Sequence, residues 1–449
     1  MNWFNRFFSR ASTPNKQQRG DARSAQGGAE KSLSQPLPGE REKQDLGRLK
    51  QFVPLRELED SVVAGLPQST LIFGEGALIF NRGDNTDHVY YLLEGRIAMQ
   101  PDSVSCYEVS ADSTRAHLPL NSGHVCGATA RALTEVKILL ISVELNRLWS
   151  KKSQQDIDCV ELVDIELPEA IDDNRFFTSF CQAYRENNLQ LPSLPNVAFK
   201  LKQAMQQDIG IDEAVHIIQI DPPIVTKLIQ VANSPLYAPV SPIGNCHDAV
   251  TRLGLAATRN LVMGISLKQL FNCKDKPLMK AMQQLWQNSL HLSSLSFVLA
   301  AESAKINPED ALLAGLISDI GVIPLLRFAE QYPDQYPDVS DLENAIPYLR
   351  APVGALMLHT LGFSEQLCDI PHHAENWLYD SGDSLTLADI VILAKLHHYI
   401  GTTRAKDLPY LNSVPAYAKL KDGELDPDFS LTILHKAQQR IHSAMHILA

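Results

Sequence analysis

The hydrophobic pattern of this chain changes its period near residue 150, and this change constrains the fold more than any other feature. Between residues 46 and 149, short apolar runs such as ALIF and VYYLL alternate with Gly, Asn and Asp turns. This pattern is typical of short antiparallel strands. After residue 172 the apolar residues recur at helical spacing, with a helix start at Asp221 and a helix end at Gly254. We therefore predict an α+β protein with separate domains, an N-terminal β-roll or jelly roll and a C-terminal all-α domain.

Composition divides the chain further. Residues 11–45 are rich in Ser, Gln, Gly and Pro, so they bury too little apolar surface to offset the entropy of ordering. Residues 150–172 are acidic and lack aromatic residues, which is typical of a connector. The predicted order is a disordered basic segment at 1–45, the β-roll at 46–150, a linker at 151–175, the helical domain at 176–402, and a C-terminal extension ending in a helix at 403–449. Long helices are expected at 277–304, 308–330, 350–376 and 384–401.

The first ten residues, MNWFNRFFSR, differ from the segment that follows them. In a helix, four aromatic side chains would share one face: Trp3, Phe4, Phe7 and Phe8. Such a face is suited to weak contact with a membrane surface or to docking on a partner. The alternative is an unstructured terminus, and the sequence leaves both open.

Charge and cysteine usage exclude several classes of protein. The net charge is −12, and residues 1–50 carry +5, so the chain is not a basic nucleic-acid binder. The seven cysteines form no CxxC pair, which argues against a zinc ribbon and fits reduced thiols in a cytoplasm. No apolar run of about 18 residues and no signal-peptide pattern is evident, so a cytoplasmic location is expected.

An ordered series of short motifs in the helical region resembles the HDOD domain family. The series contains LPSLP, the helix start at Asp221-Pro222, ANSPLY at Ala232–Tyr237, AVTRLG at Ala249–Gly254, AGLISDIG at Ala314–Gly321, and the pair His372-His373. The resemblance covers about residues 176–400. It implies an all-helical relative of the HD phosphohydrolases that generally lacks their metal ligands. Such domains occur in bacterial signalling proteins, often joined to sensory modules.

The β region resembles the cyclic-nucleotide-binding domain family. The stretch GALIFNRGDNTDHVYYLLEGRIAM matches the first hairpins of that family, including Gly83-Asp84 and Gly95. The later stretch CGATARALTEVKILLIS corresponds to its closing strands. This resemblance covers about residues 50–150. It implies that the β-roll regulates the helical domain.

The first resemblance also implies where a metal site would lie. HD hydrolases bind a metal that activates water. The metal ligands are a His, a His-Asp pair, and further His and Asp residues from later helices. The corresponding positions in this chain are Asn288, Ser318, Asp319, Arg350, His372, His373 and Asp389. At least three expected ligands are replaced, and Arg350 adds positive charge. We therefore expect no metal and no catalysis. A pocket for an anionic ligand at Arg350 and the two histidines is an open alternative.

The nucleotide-binding segment is reduced in a similar way. The family binds ribose through a Gly-Glu pair and the cyclic phosphate through an Arg followed by small residues. In LNSGHVCGATARAL the pair corresponds to Gly123-His124, and Cys126 takes the position of the Arg. Binding of cyclic AMP or cyclic GMP through this segment is therefore not expected, and Cys126 is predicted to be a small buried residue.

These observations predict a non-catalytic bacterial signal-transduction protein that acts by protein–protein or ligand binding and uses no cofactor. The HDOD domain would be the output or scaffold, and the β-roll the regulatory module. The expected partners are signalling proteins. A small ligand, a homodimer and a weak membrane-surface contact stay open, and no nucleic acid is expected. Two other functions also stay open, a divergent metal-dependent phosphohydrolase acting on a nucleotide or cyclic dinucleotide, and a cyclic-nucleotide receptor.

Overall fold

The computed structural model describes residues 43–420 apart from gaps at 102–105, 122, 124, 150–151, 153–173, 187, 195, 206–208, 235–236, 238–240, 336–338, 401 and 407. The chain divides into two compact units. The β unit comprises Met1–Ser153, Trp377–Ser384 and Tyr399–Phe429, and the helical unit comprises Gln154–Asn376, Leu385–His398 and Ser430–Ala449. The predictions for residues 1–42, for most of the linker and for the helix that ends the chain lie outside the described residues.

The β unit contains strands in two antiparallel sheets, as predicted. The strands are β1 (Gln68–Phe73), β2 (Leu78–Phe80), β3 (His88–Glu94), β4 (Arg96–Gln100), β5 (Tyr107–Ser110), β6 (Thr129–Ala132) and β7 (Val136–Ser142). One sheet has the order β1-β7-β3 and the other β2-β6-β4-β5. Gly95 joins β3 to β4 with a φ of 87°, a left-handed conformation that glycine adopts without steric cost.

Strand β7 shows why this region carries apolar runs rather than a strict alternation. Its residues Ile138 and Leu140 belong to the core between the two sheets, and the intervening Leu139 and Ile141 belong to a second core. The second core is covered by the short helices α1 (Leu46–Leu49), α2 (Asp60–Gly65) and α3 (144–149). A strand that is buried on both faces needs apolar residues at every position.

The helical unit is built from helices throughout its described part. They are α4 (Arg175–Arg185), α5 (Asn196–Met205), α6 (Ile211–Ile218), α7 (Pro222–Ala232), α8 (Cys246–Leu253), α9 (Leu255–Leu267), α10 (Lys276–Ser303), α11 (Pro308–Ile317), α12 (Val322–Gln331), α13 (Val339–Thr360), α14 (Glu365–Cys368), α15 (Ile370–His373) and α16 (Leu387–Tyr399). The Asp221 carboxylate accepts the Ile224 N–H at 3.2 Å and caps α7, and Gly254 ends α8 with a φ of 80°. Both predicted helix ends are confirmed.

The predicted helix at 308–330 is two helices, α11 and α12, separated by a turn at 318–321. The expectation that no segment is apolar enough to span a membrane also needs correction. The stretch Pro308–Gln331 passes that test by length and composition: an 18-residue window within it has a mean hydropathy of 1.8, but 94% of that window is buried inside the protein. Its apolar character is therefore accounted for by packing within the helical unit.

The chain rejoins the β unit after α16. There Tyr410 stacks on Tyr107 with ring centroids 4.0 Å apart, and the Arg115 guanidinium lies 4.7 Å from the centroid of the Tyr410 ring. Arg115 also donates to the Ala405 carbonyl at 2.9 Å. Helix α17 (Pro415–Ala418) follows. Residues 403–420, predicted as the start of a C-terminal extension, are thus packed against the β-roll; we call them the returning segment.

Candidate functional site

The motif AGLISDIG is held in place by two close backbone approaches. A Cβ on Gly315 would lie 2.7 Å from the Leu292 carbonyl oxygen, so α11 packs against α10 at van der Waals contact. A Cβ on Gly321 would lie 2.0 Å from the Arg350 carbonyl oxygen and 2.5 Å from the Gly354 nitrogen on α13. The two glycines therefore fix the turn that carries Asp319 against two neighbouring helices.

Four charged side chains meet at this turn, and we call them the ionic quartet: Asp319, Arg350, Glu375 and Lys395. The Asp319 Oδ1 atom accepts from Lys395 Nζ at 2.6 Å and from Arg350 Nη1 at 2.8 Å. Glu375 accepts from Arg350 Nη1 at 2.7 Å and Nη2 at 2.6 Å, and from Lys395 Nζ at 3.2 Å. Each carboxylate therefore contacts both cations.

Burial makes this arrangement unusual. The Lys395 side chain is 0% exposed and that of Asp319 is 4% exposed, while Arg350 and Glu375 are 13% and 15% exposed. Burial alone raises the pKa of Asp319, but the charges of Lys395 and Arg350 outweigh it and hold that pKa below its usual range. Burial, with the nearby charge of Arg350, lowers the pKa of Lys395, and the two carboxylates oppose this. Two carboxylates and two cations leave no net charge in the quartet.

The other positions predicted for a metal site hold no ligand set. Asn288 is buried on α10 and accepts from Gln284 at 3.1 Å. Ser318 donates to the Gly315 carbonyl at 3.0 Å. Asp389 lies in the first turn of α16 and accepts from the Thr386 N–H at 2.8 Å and hydroxyl at 2.9 Å, so it serves as a helix cap.

Of the adjacent histidines on the short helix α15, His373 is buried and His372 is partly buried. Burial lowers the pKa of His372 to about 4. Burial and the neighbouring His372 lower the pKa of His373 to about 4 as well. Both rings are therefore neutral at pH 7 and give Arg350 no help in attracting an anion. Arg350 itself is already paired with two carboxylates, which removes the charge argument for an anion pocket.

The donor set does not fit the metal site of an HD hydrolase. Metal-activated hydrolysis needs several His and carboxylate ligands around one open point. Across the described residues, no group of three or more His, Cys, Asp or Glu side chains is placed to hold a metal. The Asp319 and Glu375 oxygens that could bind one are already in contact with an ammonium and a guanidinium.

Two members of the quartet, Glu375 and Lys395, were missed by the sequence analysis. Lys395 did leave a signal, since it is a lone charge in the apolar run IVILAKL of α16. A lysine within an apolar helix is buried only when a partner compensates it. Glu375 left a weaker signal, because it follows His372-His373 in a short irregular segment.

The predicted nucleotide segment is closed by packing. Cys126 is 1% exposed, and its thiol pKa is raised to about 12, mainly by burial and also by Asp84, with Asn121 acting in the opposite direction. Gly123 has a φ of 89°, and a Cβ there would lie 2.8 Å from the Asn146 amide nitrogen. Arg131 is exposed and donates to the Gly76 carbonyl at 2.9 Å. His124 and the aromatic patch of Trp3, Phe4, Phe7 and Phe8 lie outside the described residues.

Comparison with known proteins supports the reading of the helical half. Residues 191–376 match the HDOD domain family. A protein from Shewanella amazonensis SB2B, provisionally named a metal-dependent phosphohydrolase, is 23% identical; the match covers 62% of this chain and 100% of that one, with a TM-score of 0.53. A protein from Geobacter metallireducens GS-15, provisionally named cyclic nucleotide-binding, is 21% identical over 25% of this chain and 86% of its own, with a TM-score of 0.21.

Among curated proteins, an uncharacterised protein of Treponema pallidum (strain Nichols) is 22% identical over 155 residues. The match spans 34% of this chain and 29% of that protein.

Proposed function

From the HDOD domain at residues 191–376, we propose that this protein is a bacterial signal-transduction protein without catalytic activity. It acts by binding another protein or a small ligand. The HDOD domain is the output or scaffold, and the β-roll is the regulatory module. A cytoplasmic location, signalling-protein partners and the absence of nucleic-acid binding are parts of the same proposal.

The ionic quartet is the observation that carries the proposal. A hydrolytic metal site must keep ligand atoms unpaired until the metal and substrate arrive. Here the carboxylate of the former His-Asp pair, Asp319, contacts two cations instead. An Asp319 carboxylate that is paired in this way needs no cofactor. On this proposal its role is to stabilise the domain and not to take part in catalysis.

The regulatory part of the proposal draws on the returning segment. Helix α16 carries Lys395 inside the helical unit and leads at Tyr399 into the residues that hold Tyr410 on Tyr107 and Arg115. We therefore expect an event at this surface of the β-roll to change the order of α16 through the chain itself. In a Tyr410→Ala variant, amides of α16 should exchange with deuterium faster than in a Tyr348→Ala control on the exposed face of α13. Unchanged exchange would refute this route.

Metal content decides between this proposal and an enzyme. Freshly purified full-length protein should contain near-zero transition metal and show no phosphodiesterase turnover with added Mn²⁺. Metal near one equivalent, lost in an Asp319→Ala variant, would instead favour a divergent phosphohydrolase acting on a nucleotide or cyclic dinucleotide. The name of the Shewanella protein is the reason to test this alternative.

A cyclic-nucleotide receptor is the second alternative. Receptors of this kind bind the cyclic phosphate with an arginine, and a buried thiol at Cys126 offers no positive charge to it. We expect no saturable rise in the thermal midpoint with cyclic AMP or cyclic GMP. A saturable rise would instead favour the cyclic-nucleotide receptor, with the β-roll as its ligand-binding domain.

A further inference from the structure

We infer that Lys395 is a tethered cation that fills a cation site formed by Asp319 and Glu375, and that shortening its side chain uncovers this site for a free cation. The inference rests on the proposed function in one respect only, that the natural chain holds no metal there. It explains why a lysine stands within the buried apolar run of α16, where an apolar residue would be expected.

The convergence of oxygen atoms is the first argument. Asp319 Oδ1 lies 2.6 Å and Glu375 Oε1 lies 3.2 Å from the single Lys395 Nζ atom. These two residues are 56 positions apart in the chain, and they reach the nitrogen from the turn after α11 and from the segment after α15. Two carboxylate oxygens that point at one position favour a positive charge there, and an ammonium group meets them through hydrogen bonds.

The path of the lysine arm is the second argument. Residues Ile390 to Ala394, which precede Lys395 on α16, are all fully buried, and the Lys395 side chain is 0% exposed. The ammonium is thus delivered through the protein interior rather than from solvent. Truncation to alanine removes the arm and the charge together, and it leaves both space and two carboxylates behind.

Charge balance is the third argument. With Lys395 the quartet has no net charge, and without it the three remaining side chains carry one net negative charge. A buried net charge is unfavourable, so it favours uptake of a cation. The surviving Arg350 limits how tightly a divalent ion binds. A small alkylammonium ion, which restores one positive charge, matches the vacated position most closely.

The test compares Lys395→Ala with two controls in the full-length protein. Lys395→Met removes the charge but keeps a side chain that fills much of the space. Lys419→Ala removes another buried lysine, one that pairs with Asp380 at 3.0 Å in the β unit. Mn²⁺ binding is followed by the electron paramagnetic resonance signal of the free ion. Thermal midpoints are recorded with ethylammonium, with Mn²⁺, and with ethanol as an uncharged probe of similar size.

The expected result is a saturable gain confined to Lys395→Ala. Its thermal midpoint should rise by about 5 °C or more at 100 times the Kd of ethylammonium. Ethanol should have no effect, and Mn²⁺ should show no site near one equivalent, because Arg350 still contacts both carboxylates. A folded Lys395→Ala protein that does not respond to ethylammonium would overturn the inference. The inference would also fail if Lys395→Ala stayed unfolded in ethylammonium while Lys395→Met folded, because the carboxylates would then accept only a cation attached to the chain.

The natural chain separates this inference from the proposed function. Metal and turnover in the wild-type protein would contradict the non-catalytic role, whatever the variants do. A wild-type protein without metal, together with an unresponsive Lys395→Ala variant, would leave the non-catalytic role intact and remove only the role assigned to Lys395.

Discussion

Around Asp319 in the helical unit, four charged side chains with no net charge occupy the interior. In the β unit, the position expected to hold a phosphate-binding arginine is taken by the neutral thiol of Cys126. On the correspondence that we propose, both regions differ from the residues that their family resemblances imply. The difference is that Asp319 is a buried acidic residue and is paired with two cations, whereas Cys126 is neutral and needs no such pairing.

This contrast teaches how two kinds of interior position are stabilised. A buried carboxylate that is kept must be paired, because an unpaired one costs several kcal/mol. A replaced charge leaves only a volume to fill, and a small residue such as cysteine fills it. Substitutions in the helical unit should therefore act through charge, and substitutions in the β unit through volume.

The largest effect is expected from breaking the quartet. Asp319→Asn leaves two buried cations facing one carboxylate, and it should lower the free energy of unfolding by about 3–5 kcal/mol. The charge-balanced double variant, Asp319→Asn with Lys395→Met, should lose less than the two single variants combined. Urea unfolding followed by circular dichroism measures both.

The matched control is Arg96→Met, which breaks an exposed ion pair with Glu108 at 3.0 Å in the β unit. It should cost no more than about 1 kcal/mol. If Asp319→Asn proved as mild as Arg96→Met, the quartet would contribute little and the contrast between the two regions would fail.

His372 and His373 should make the stability of the helical unit sensitive to acid as well. Their folded-state pKa values are near 4 and the unfolded value is about 6.5, so the unfolded chain takes up protons first as the pH falls. The two histidines therefore leave the free energy of unfolding nearly unchanged above about pH 6.5 and lower it as the pH falls toward 4. The loss at pH 5 is about 2 kcal/mol for each histidine.

Replacing His372 and His373 by Gln should flatten this dependence, as measured by urea unfolding at intervals from pH 7 to pH 4.5. His359→Gln, at an exposed position on α13, is the matched control for a His-to-Gln substitution. A slope that survives the double replacement would place the acid sensitivity elsewhere in the chain.

A pair of glycine substitutions compares the two regions with smaller expected losses in the free energy of unfolding. Gly321→Ala brings a methyl group against the Arg350 carbonyl and the α13 backbone, and Gly123→Ala places a side chain at positive φ against Asn146 and Val143. Each should cost about 1–3 kcal/mol because the neighbours must move. Gly321→Ala should cost more, since backbone yields less than a side chain.

The two glycine variants are read out by thermal unfolding of the full chain. Gly65→Ala, where a Cβ meets no atom within 4 Å, is the control and should be close to neutral. If Gly321→Ala matched this control, α12 and α13 would be free to separate, and the fixed position of Asp319 would be in question.

The smallest effect is expected at Cys126. Cys126→Ala removes one sulfur atom from a filled interior and should cost about 1 kcal/mol, the value of a buried methylene group. Thermal unfolding gives the value, with Cys106→Ala at an exposed position as the control. A loss above about 3 kcal/mol would mean that Cys126 does more than fill space.

Much of the fold followed from the sequence because the relevant signals are local. The helix start at Asp221 depends on one side chain and a backbone N–H three residues later, and the stop at Gly254 depends on its own φ. The longer helices were less well predicted. The segment at 308–330 is interrupted at 318–321, just before Pro324, which has no N–H to donate to the Ile320 carbonyl and disfavours an unbroken helix there. The close approach of Gly321 to α13, by contrast, leaves no trace in the periodicity.

The sequence by itself determined the order of the β and helical regions and the helix ends at Asp221 and Gly254. It also supplied the basis for proposing that Asn288, Ser318 and Cys126 stand where the two families have ligands. Tertiary structure alone decided which charged side chains meet. Arg350, Glu375 and Lys395 lie 31, 56 and 76 residues from Asp319, and only the packing of α13, α16 and the segment after α15 brings their charges together. Electrostatic interactions depend on distance in space and on burial, and neither quantity can be read from spacing along the chain.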